Sequence, residues 1–331
     1  MKCYLVTGGA GFIGSNYIHF LMRKYGNRIR IINLDALTYC ASREYVREYE
    51  GRSNYEFIEG NVCDEELIAK VFRENDIDYV VHFAAQTHVD RSIESAKEFA
   101  ETNVLGTVNL LHAVLNAWTE EDYSLKRFLY VSTDEVYGEL LADGYFTEES
   151  PLYPRNPYSA SKAGGDMMAR AFYETYNLPV LVSRCSNNFG PYQYEEKLIP
   201  LCIKCCLTGK EIPLYGDGQN IRDWLYVKDH CRAIDQILSH GRPGQIYNIG
   251  ANNELTNLDL VNSIRRILTE DFRIQAPPIR FVKDRKGHDR RYAICKDKIK
   301  RELGWNVDTT FEDGIHQTIS WYIKHFDSIL S

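Results

Sequence analysis

Tyr4-Leu5-Val6-Thr7-Gly8-Gly9-Ala10-Gly11-Phe12-Ile13-Gly14 is the stretch on which the fold of this chain turns. Its first three residues are a short apolar run of strand character. Beyond it Ile18, Leu21 and Met22 follow at helical spacing, so the glycines fall between a strand and a helix. Glycines at 8, 11 and 14 permit a tight turn, let backbone approach a pyrophosphate and allow close packing of helix on strand. A second apolar run, Ile29 to Leu34, ends at Asp35 about 20 residues on, where a carboxylate accepts bonds from both ribose hydroxyls and repels a 2′-phosphate. The pattern points to NAD rather than NADP, and a structural Gly turn with an unrelated loop Asp is the weaker reading.

Strand and helix then alternate. Tyr55-Glu56-Phe57-Ile58 leads through Gly60-Asn61-Val62-Cys63-Asp64 to a helix over Glu65 to Glu74, and Tyr79-Val80-Val81-His82-Phe83-Ala84-Ala85 is the next buried strand. This predicts an α/β chain with a Rossmann-type doubly wound parallel sheet. Ala84-Ala85 at the carboxyl end leaves room for a cofactor, and His88 after Gln86-Thr87 reads as a rim or structural residue. From Asn103 a long helix carries Val104, Val108, Leu111, Leu115 and Trp118 in register, a stripe for the core or, beside a neighbouring helix, for a homodimer interface.

Past Leu178-Pro179-Val180-Leu181-Val182-Ser183, another strand, the pattern loosens into loops rich in Asn, Gly, Lys, Arg and Tyr, groups that bind a diphosphate and stack on a base. Near the end Gly287-His288-Asp289-Arg290-Arg291-Tyr292 adds cations, and an amphipathic helix runs from Phe311 to Phe326. The expectation is a mainly NAD-binding domain over residues 1–180, with segments returning from the later half, and a smaller C-terminal α/β substrate lobe over 181–331.

Composition narrows the partners. A net charge of −7 without a long basic block argues against nucleic acid. No stretch reaches the 18 or so apolar residues of a membrane span, and the chain enters the glycine motif with no leader to cleave, so a soluble, cytoplasmic protein with no membrane partner is expected. Nine cysteines, odd in number and unevenly spread, read as reduced thiols. Cys202 and Cys205 form a CxxC, but Cys206 follows directly and no His stands at zinc spacing, so they read as packing and no metal is expected.

Two constellations carry the chemistry. The strand Phe128-Leu129-Tyr130-Val131-Ser132 runs into Thr133-Asp134-Glu135-Val136-Tyr137-Gly138, and adjacent carboxylates at a strand end are costly to bury and add little as packing. Pro157-Tyr158-Ser159-Ala160-Ser161-Lys162 opens a helix with Tyr158 and Lys162 on one face. An ammonium held near a phenol favours phenolate; moving it from about 10 to about 7 takes roughly 4 kcal/mol. Such a Tyr takes a proton from a sugar hydroxyl while a nicotinamide takes hydride from the same carbon. A surface Tyr with a solvated Lys would be the usual reading of this spacing alone.

With these residues in place, the chain resembles the extended short-chain dehydrogenase/reductase family and, within it, the nucleotide-sugar 4,6-dehydratases. The resemblance spans nearly the whole chain, from the glycine motif to Gly304-Trp305, and also rests on Cys185-Ser186-Asn187-Asn188 and Arg222-Asp223-Trp224. It implies that Tyr158, supported by Lys162 and with Thr133 on the same oxygen, takes the C4 hydroxyl proton as C4 is oxidised. Glu135 then removes the C5 proton, and protonated Asp134 donates to the departing C6 hydroxyl. NAD would be regenerated in each turnover. The same resemblance implies a cofactor site of Gly8, Gly11, Phe12, Ile13, Gly14, Asp35, Ala36, Leu37, Thr38, Asn61, Val62, Phe83, Ala84, Ala85, Thr87, Thr102, Tyr158, Lys162 and Asn188. The nucleotide sugar would be held by Thr87, Thr133, Asn187, Lys197, Leu198, Pro213, Tyr215, Arg222, Asn257, His288, Asp289 and Tyr292. Asn61 stands where an Asp is usual, with a carbonyl that can still accept from the adenine amino group. Gln86 replaces the Glu common in relatives acting on dTDP-glucose and resembles those acting on UDP-glucose, so dTDP-glucose is the expected substrate and UDP-glucose the alternative. Cys40-Ala41-Ser42-Arg43 also departs from the usual pattern. An epimerase or decarboxylase of the same family typically lacks the Asp-Glu pair, and a non-catalytic NAD-binding protein would have no use for it.

Overall fold

The computed structural model describes residues 1–140 and 143–326; the last residues of the expected lobe, 327–331, lie outside the described residues. Among the described residues twelve strands run in chain order: β1 (Lys2–Thr7), β2 (Ile29–Asp35), β3 (Tyr55–Glu59), β4 (Tyr79–His82), β5 (Arg127–Thr133), β6 (Val180–Cys185), β7 (Asn187–Phe189), β8 (Ile212–Tyr215), β9 (Ile221–Tyr226), β10 (Ile246–Ile249), β11 (Glu254–Thr256) and β12 (Ile279–Val282). Seven form a parallel sheet in the order β10-β6-β5-β4-β1-β2-β3. The order reverses between β1 and β4, and that crevice at the carboxyl ends is where such sheets bind ligands.

Alternation along the strands feeds a core on each face. Val6, Val81, Leu129 and Leu181 pack under the helices Phe12–Tyr25 and Val227–His240, while Leu5, Val80, Phe128 and Val182 pack under Glu65–Glu74, Gly106–Ala117 and Pro157–Tyr176. A third core, including Cys202, Cys205 and Cys206, lies among the helices Leu198–Thr208, Asn257–Glu270 and Phe311–Lys324 and the smaller strands. All nine cysteines are free. The three-stranded sheet β11-β9-β7 and the pair β12-β8 belong to this second half, yet β6 and β10, also late in the chain, complete the large sheet.

Several boundaries differ from the sequence reading. Phe83 to Ala85 lie beyond β4, because the chain leaves the sheet there to line the crevice. Asn103 and Val104 sit in a wider turn, Glu101–Leu105, that precedes the helix Gly106–Ala117. On that helix Leu110, Leu111 and Val114 are buried, with Val108 and Leu115 half-buried. The last helix stops at Lys324.

Candidate functional site

The turn after β1 is built on its glycines. Gly8 has φ +72°, and a Cβ there would come within 2.7 Å of the Ala84 nitrogen across the switch point; a Cβ on Gly14 would meet the Gly8 carbonyl oxygen at 2.2 Å. Backbone thus occupies the space a side chain would need, leaving an open cradle above the first turn of Phe12–Tyr25. At the end of β2 the buried Asp35 carboxylate accepts from Ala10 N–H and Leu37 N–H, both at 2.8 Å. Burial raises its pKa against those two bonds, and further acceptor positions remain on its oxygens. Leu37 itself, at φ +48°, turns its N–H back to Asp35 and does not line the cleft. Asn61 Oδ1 accepts from Cys63 N–H at 2.9 Å, which uses one of its lone pairs.

A single cavity of ≈ 450 Å³ runs from this cradle past the ends of β4 and β5 into the second half of the chain. It gathers every residue expected at the cofactor and nucleotide-sugar sites except Leu37, and every catalytic candidate except Asp134. The acidic pair splits because the chain turns into a 3-10 segment, Asp134–Tyr137, directly after β5. Glu135 faces the cavity; Asp134 does not line it and is 1 % exposed, with Thr133 Oγ1 donating to its Oδ1 at 3.3 Å and, among the described residues, no hydrogen-bond partner for Oδ2. Burial, then the neighbouring Glu135 and Asp223, hold Asp134 well above the usual carboxylate range. Burial also raises Glu135, against the pull of Arg222, Lys197 and Arg285.

Tyr158 and Lys162 share the cavity wall, but the ammonium is not on the phenol. Lys162 Nζ donates to Val131 O at 2.7 Å and lies 4.4 Å from the centre of the Tyr130 ring; a buried ammonium needs an acceptor, and this carbonyl supplies one. Burial brings Lys162 down to about 8. Burial first, and then Glu135, pushes the Tyr158 phenol well up, the opposite of the shift expected from sequence.

On the far side, Arg222 donates to Asp289 O at 2.9 Å and lies 4.3 Å from the centre of the Tyr292 ring. Lys197 Nζ donates to Thr87 O at 3.2 Å. The buried Asp289 accepts from Tyr292 OH and pairs with Arg155 at 3.0 Å. Of the cations expected from the 287–292 run, Arg290 pairs with Asp217 at 3.0 Å and Arg291 with Glu254 at 2.6 Å, and neither lines the cavity. Arg285, which sequence reasoning missed, does line it. So does Glu196, which accepts from Tyr39 OH at 3.0 Å and approaches His88 Nε2 at 3.4 Å. His88, also on the cavity wall, caps the helix Val89–Glu94 as an acceptor for Arg91 N–H.

Known proteins are similar to this chain over nearly its whole length. A family model described as GDP-mannose 4,6 dehydratase matches residues 5–318. A dTDP-glucose 4,6-dehydratase of Xanthomonas campestris pv. campestris is 48% identical over 335 residues, 98% of this chain and 94% of that protein. The crystal structure of a dTDP-glucose 4,6-dehydratase from Bacillus anthracis in complex with NAD is 48% identical, covers 99% of this chain and 98% of its own, and superposes with a TM-score of 0.88. DesIV of Streptomyces venezuelae, a dTDP-glucose 4,6-dehydratase also solved with NAD, is 45% identical with a TM-score of 0.91, covering 98% of each chain. A model match over nearly the full length, joined to near-half identity end to end, means that this chain belongs to the family of nucleotide-sugar 4,6-dehydratases.

Proposed function

We propose that the protein removes water from a nucleoside-diphosphate glucose, dTDP-glucose first, to leave the 4-keto-6-deoxy sugar. The observation that carries this reading is the divided acidic pair: one carboxyl buried with an oxygen that has no partner among the described residues, its neighbour facing the cavity beside Tyr158. Water loss from C6 needs an acid and a base at one pH, and surroundings that treat two carboxyls differently supply both. Relatives at 48% and 46% identity carry the name dTDP-glucose 4,6-dehydratase.

The cradle formed by Gly8, Gly11 and Gly14, the Asp35 carboxylate and the open end of β4 fit NAD, with Phe12, Ile13, Ala36, Thr38, Val62, Phe83, Ala84, Ala85 and Thr102 along its length. Bound NAD would supply a two-electron acceptor for C4 that is also a donor to C6, and a positively charged ring that lowers the cost of a phenolate. Tyr158 takes the C4 hydroxyl proton at its phenolic oxygen, with Thr133 Oγ1 on the same sugar oxygen and Lys162 favouring the phenolate through its charge. The C4 ketone acidifies the C5 proton, which Glu135 removes; Asp134, held just off the cavity wall behind Thr133, is the proton source for the departing C6 oxygen. Glu135 then returns a proton to C5. Lys197, Arg222 and Arg285 oppose the charge of the diphosphate, while Asn187, Leu198, Pro213, Tyr215, Asn257, His288 and Tyr292 enclose the nucleotide.

On this assignment residues 1–180 serve NAD, together with β6 and β10, and the remainder serves the nucleotide sugar. A homodimer is part of the same reading, supported by Leu105 and Met167, 56% and 60% exposed on neighbouring packed segments. A cytoplasmic setting is supported by nine free thiols, and among the described residues no helix is long and apolar enough to cross a membrane.

The test is incubation with dTDP-glucose and UDP-glucose in parallel, assayed for a 4-keto product one water lighter. Conversion of the first is expected to exceed that of the second, and preference for UDP-glucose would assign Gln86, on the cavity wall, to the other base. A product of unchanged mass would replace the reading with epimerisation.

A further inference from the structure

The short helix Val89–Glu94 is bonded to two residues of the cavity wall, Arg285 and Tyr158. Its Asp90 accepts two bonds from Arg285, from Nε to Oδ1 at 2.7 Å and from Nη2 to Oδ2 at 3.0 Å. Tyr215 OH stands 3.5 Å from the same carboxylate, and the Tyr215 ring centre lies 5.1 Å from the guanidinium carbon. Engaged along that edge, the planar guanidinium keeps its Nη1 edge available, and no protein partner for Nη1 occurs among the described residues.

Two residues on, the helix makes a second attachment. Ser92, fully buried, accepts from the backbone N–H of Tyr158 at 3.1 Å while donating to Val89 O at 2.6 Å. Tyr158 lies in the first turn of Pro157–Tyr176, where backbone N–H groups have no acceptor within their own helix. Asn156 Oδ1 serves Ser159 N–H, and Ser92 serves Tyr158. The segment leading into the helix is tied to the same place, for Asn103 Nδ2 donates to both Gln86 O and Ser161 Oγ, at 3.1 and 2.8 Å.

We infer that Val89–Glu94 is a positioning element that couples nucleotide binding to the placement of Tyr158: Asp90 pins Arg285 so that its Nη1 edge meets a nucleoside diphosphate, and Ser92 fixes the turn that carries the phenol. The diphosphate as ligand rests on the function proposed above. A carboxylate beside an anion site costs affinity unless it orients the cation, and the two-point pair is that orientation. An ion pair that only fastened the halves of the chain together would alter melting temperature without separating binding from turnover.

The experiment compares wild type with Asp90→Asn, Asp90→Glu, Ser92→Ala and the double variant Asp90→Asn/Ser92→Ala, each checked for a cooperative melt. dTDP and UDP are titrated calorimetrically, and KM and kcat are measured on the better sugar nucleotide. Asp90→Asn should weaken nucleotide binding and raise KM about tenfold with kcat within about twofold, and Asp90→Glu should recover most of the loss. Ser92→Ala should lower kcat about tenfold or more while nucleotide affinity stays within about twofold. The losses in kcat/KM should combine to less than their product in the double variant. Wild-type nucleotide affinity in Asp90→Asn, no recovery in Asp90→Glu, unchanged kcat in Ser92→Ala, or fully multiplicative losses would each overturn the coupling. If wild type turns over neither sugar nucleotide, the proposed function fails, and the calorimetric comparison still decides the role of Asp90.

Discussion

Asp134 and Glu135 are covalent neighbours in different surroundings, and their proposed roles differ accordingly. Glu135→Gln should abolish wash-in of solvent deuterium at C5, read by mass spectrometry of recovered sugar nucleotide, with a rate loss of about 10²–10⁴. Asp134→Asn should permit oxidation at C4 and exchange at C5 yet block water loss, at a similar cost. Stability supplies an independent check. The Asp134 pKa is raised on folding, so the folded state keeps a proton the unfolded chain has lost, and stability falls as pH rises from the ordinary carboxylate value toward the raised one. Asp134→Asn should therefore melt no lower than wild type at pH 8, with an advantage that disappears near pH 4. The pair itself was legible in sequence, because adjacent carboxylates after a strand have no packing use. Which one faces the cavity was not, since the 3-10 turn after β5 sets their directions. Arg285 was hidden for a related reason: it stands among Lys283, Lys286, Arg290 and Arg291, and only tertiary pairing selects one cation from five.

Among elements, the helix Pro157–Tyr176 is held to β6 by an ion pair with almost no exposure. Arg184 donates from Nε and Nη2 to the two oxygens of Asp166 at 2.8 and 2.9 Å, and its Nη1 donates to Tyr137 OH, which in turn donates to Asn248 on β10. Removing one partner strands a buried charge, so Asp166→Ala should cost about 3–5 kcal/mol in denaturant unfolding, more than its surface counterparts. The start of this helix was readable at Pro157, with Asn156 capping it; its end, closed by Asn177 in the left-handed conformation, was not read from the sequence. Glu65–Glu74 matched its sequence reading to the residue because Asp64 caps it. The helix read from Asn103 did not, because Asn103 is spent on Gln86 and Ser161 and the backbone widens there to let it turn inward. An apolar stripe reports which side is buried and is silent about such a turn.

For the molecule as a whole, alternation of strand and helix made the doubly wound sheet legible, while the return of β6 and β10 from the later half was only a general expectation, since strand partners are not encoded locally. Burial also ties stability to pH. His82, held between Thr7 and Thr107 hydroxyls, and His230, against Asn188, are both lowered from the usual 6.5 to about 3. The unfolded chain takes up these protons first. Stability is thus fully present above the unfolded value and declines as pH falls from about 6.5 toward 3, at up to about 1.4 kcal/mol per pH unit for each histidine. His82→Asn should flatten that slope in chemical denaturation curves between pH 6 and 4.

The two late strands also bear on how the protein is made. When a ribosome has finished β5, that strand still shows a bare row of amides and carbonyls on one side until β6 emerges to cover it, and β6 then shows its own bare row until β10 follows. At ordinary elongation speeds the nascent chain waits on the order of ten seconds in this state. Chaperone attendance during synthesis, and loss of a fragment ending near residue 150 to the pellet on centrifugation, are the outcomes expected from closing a sheet with the second half of its own sequence.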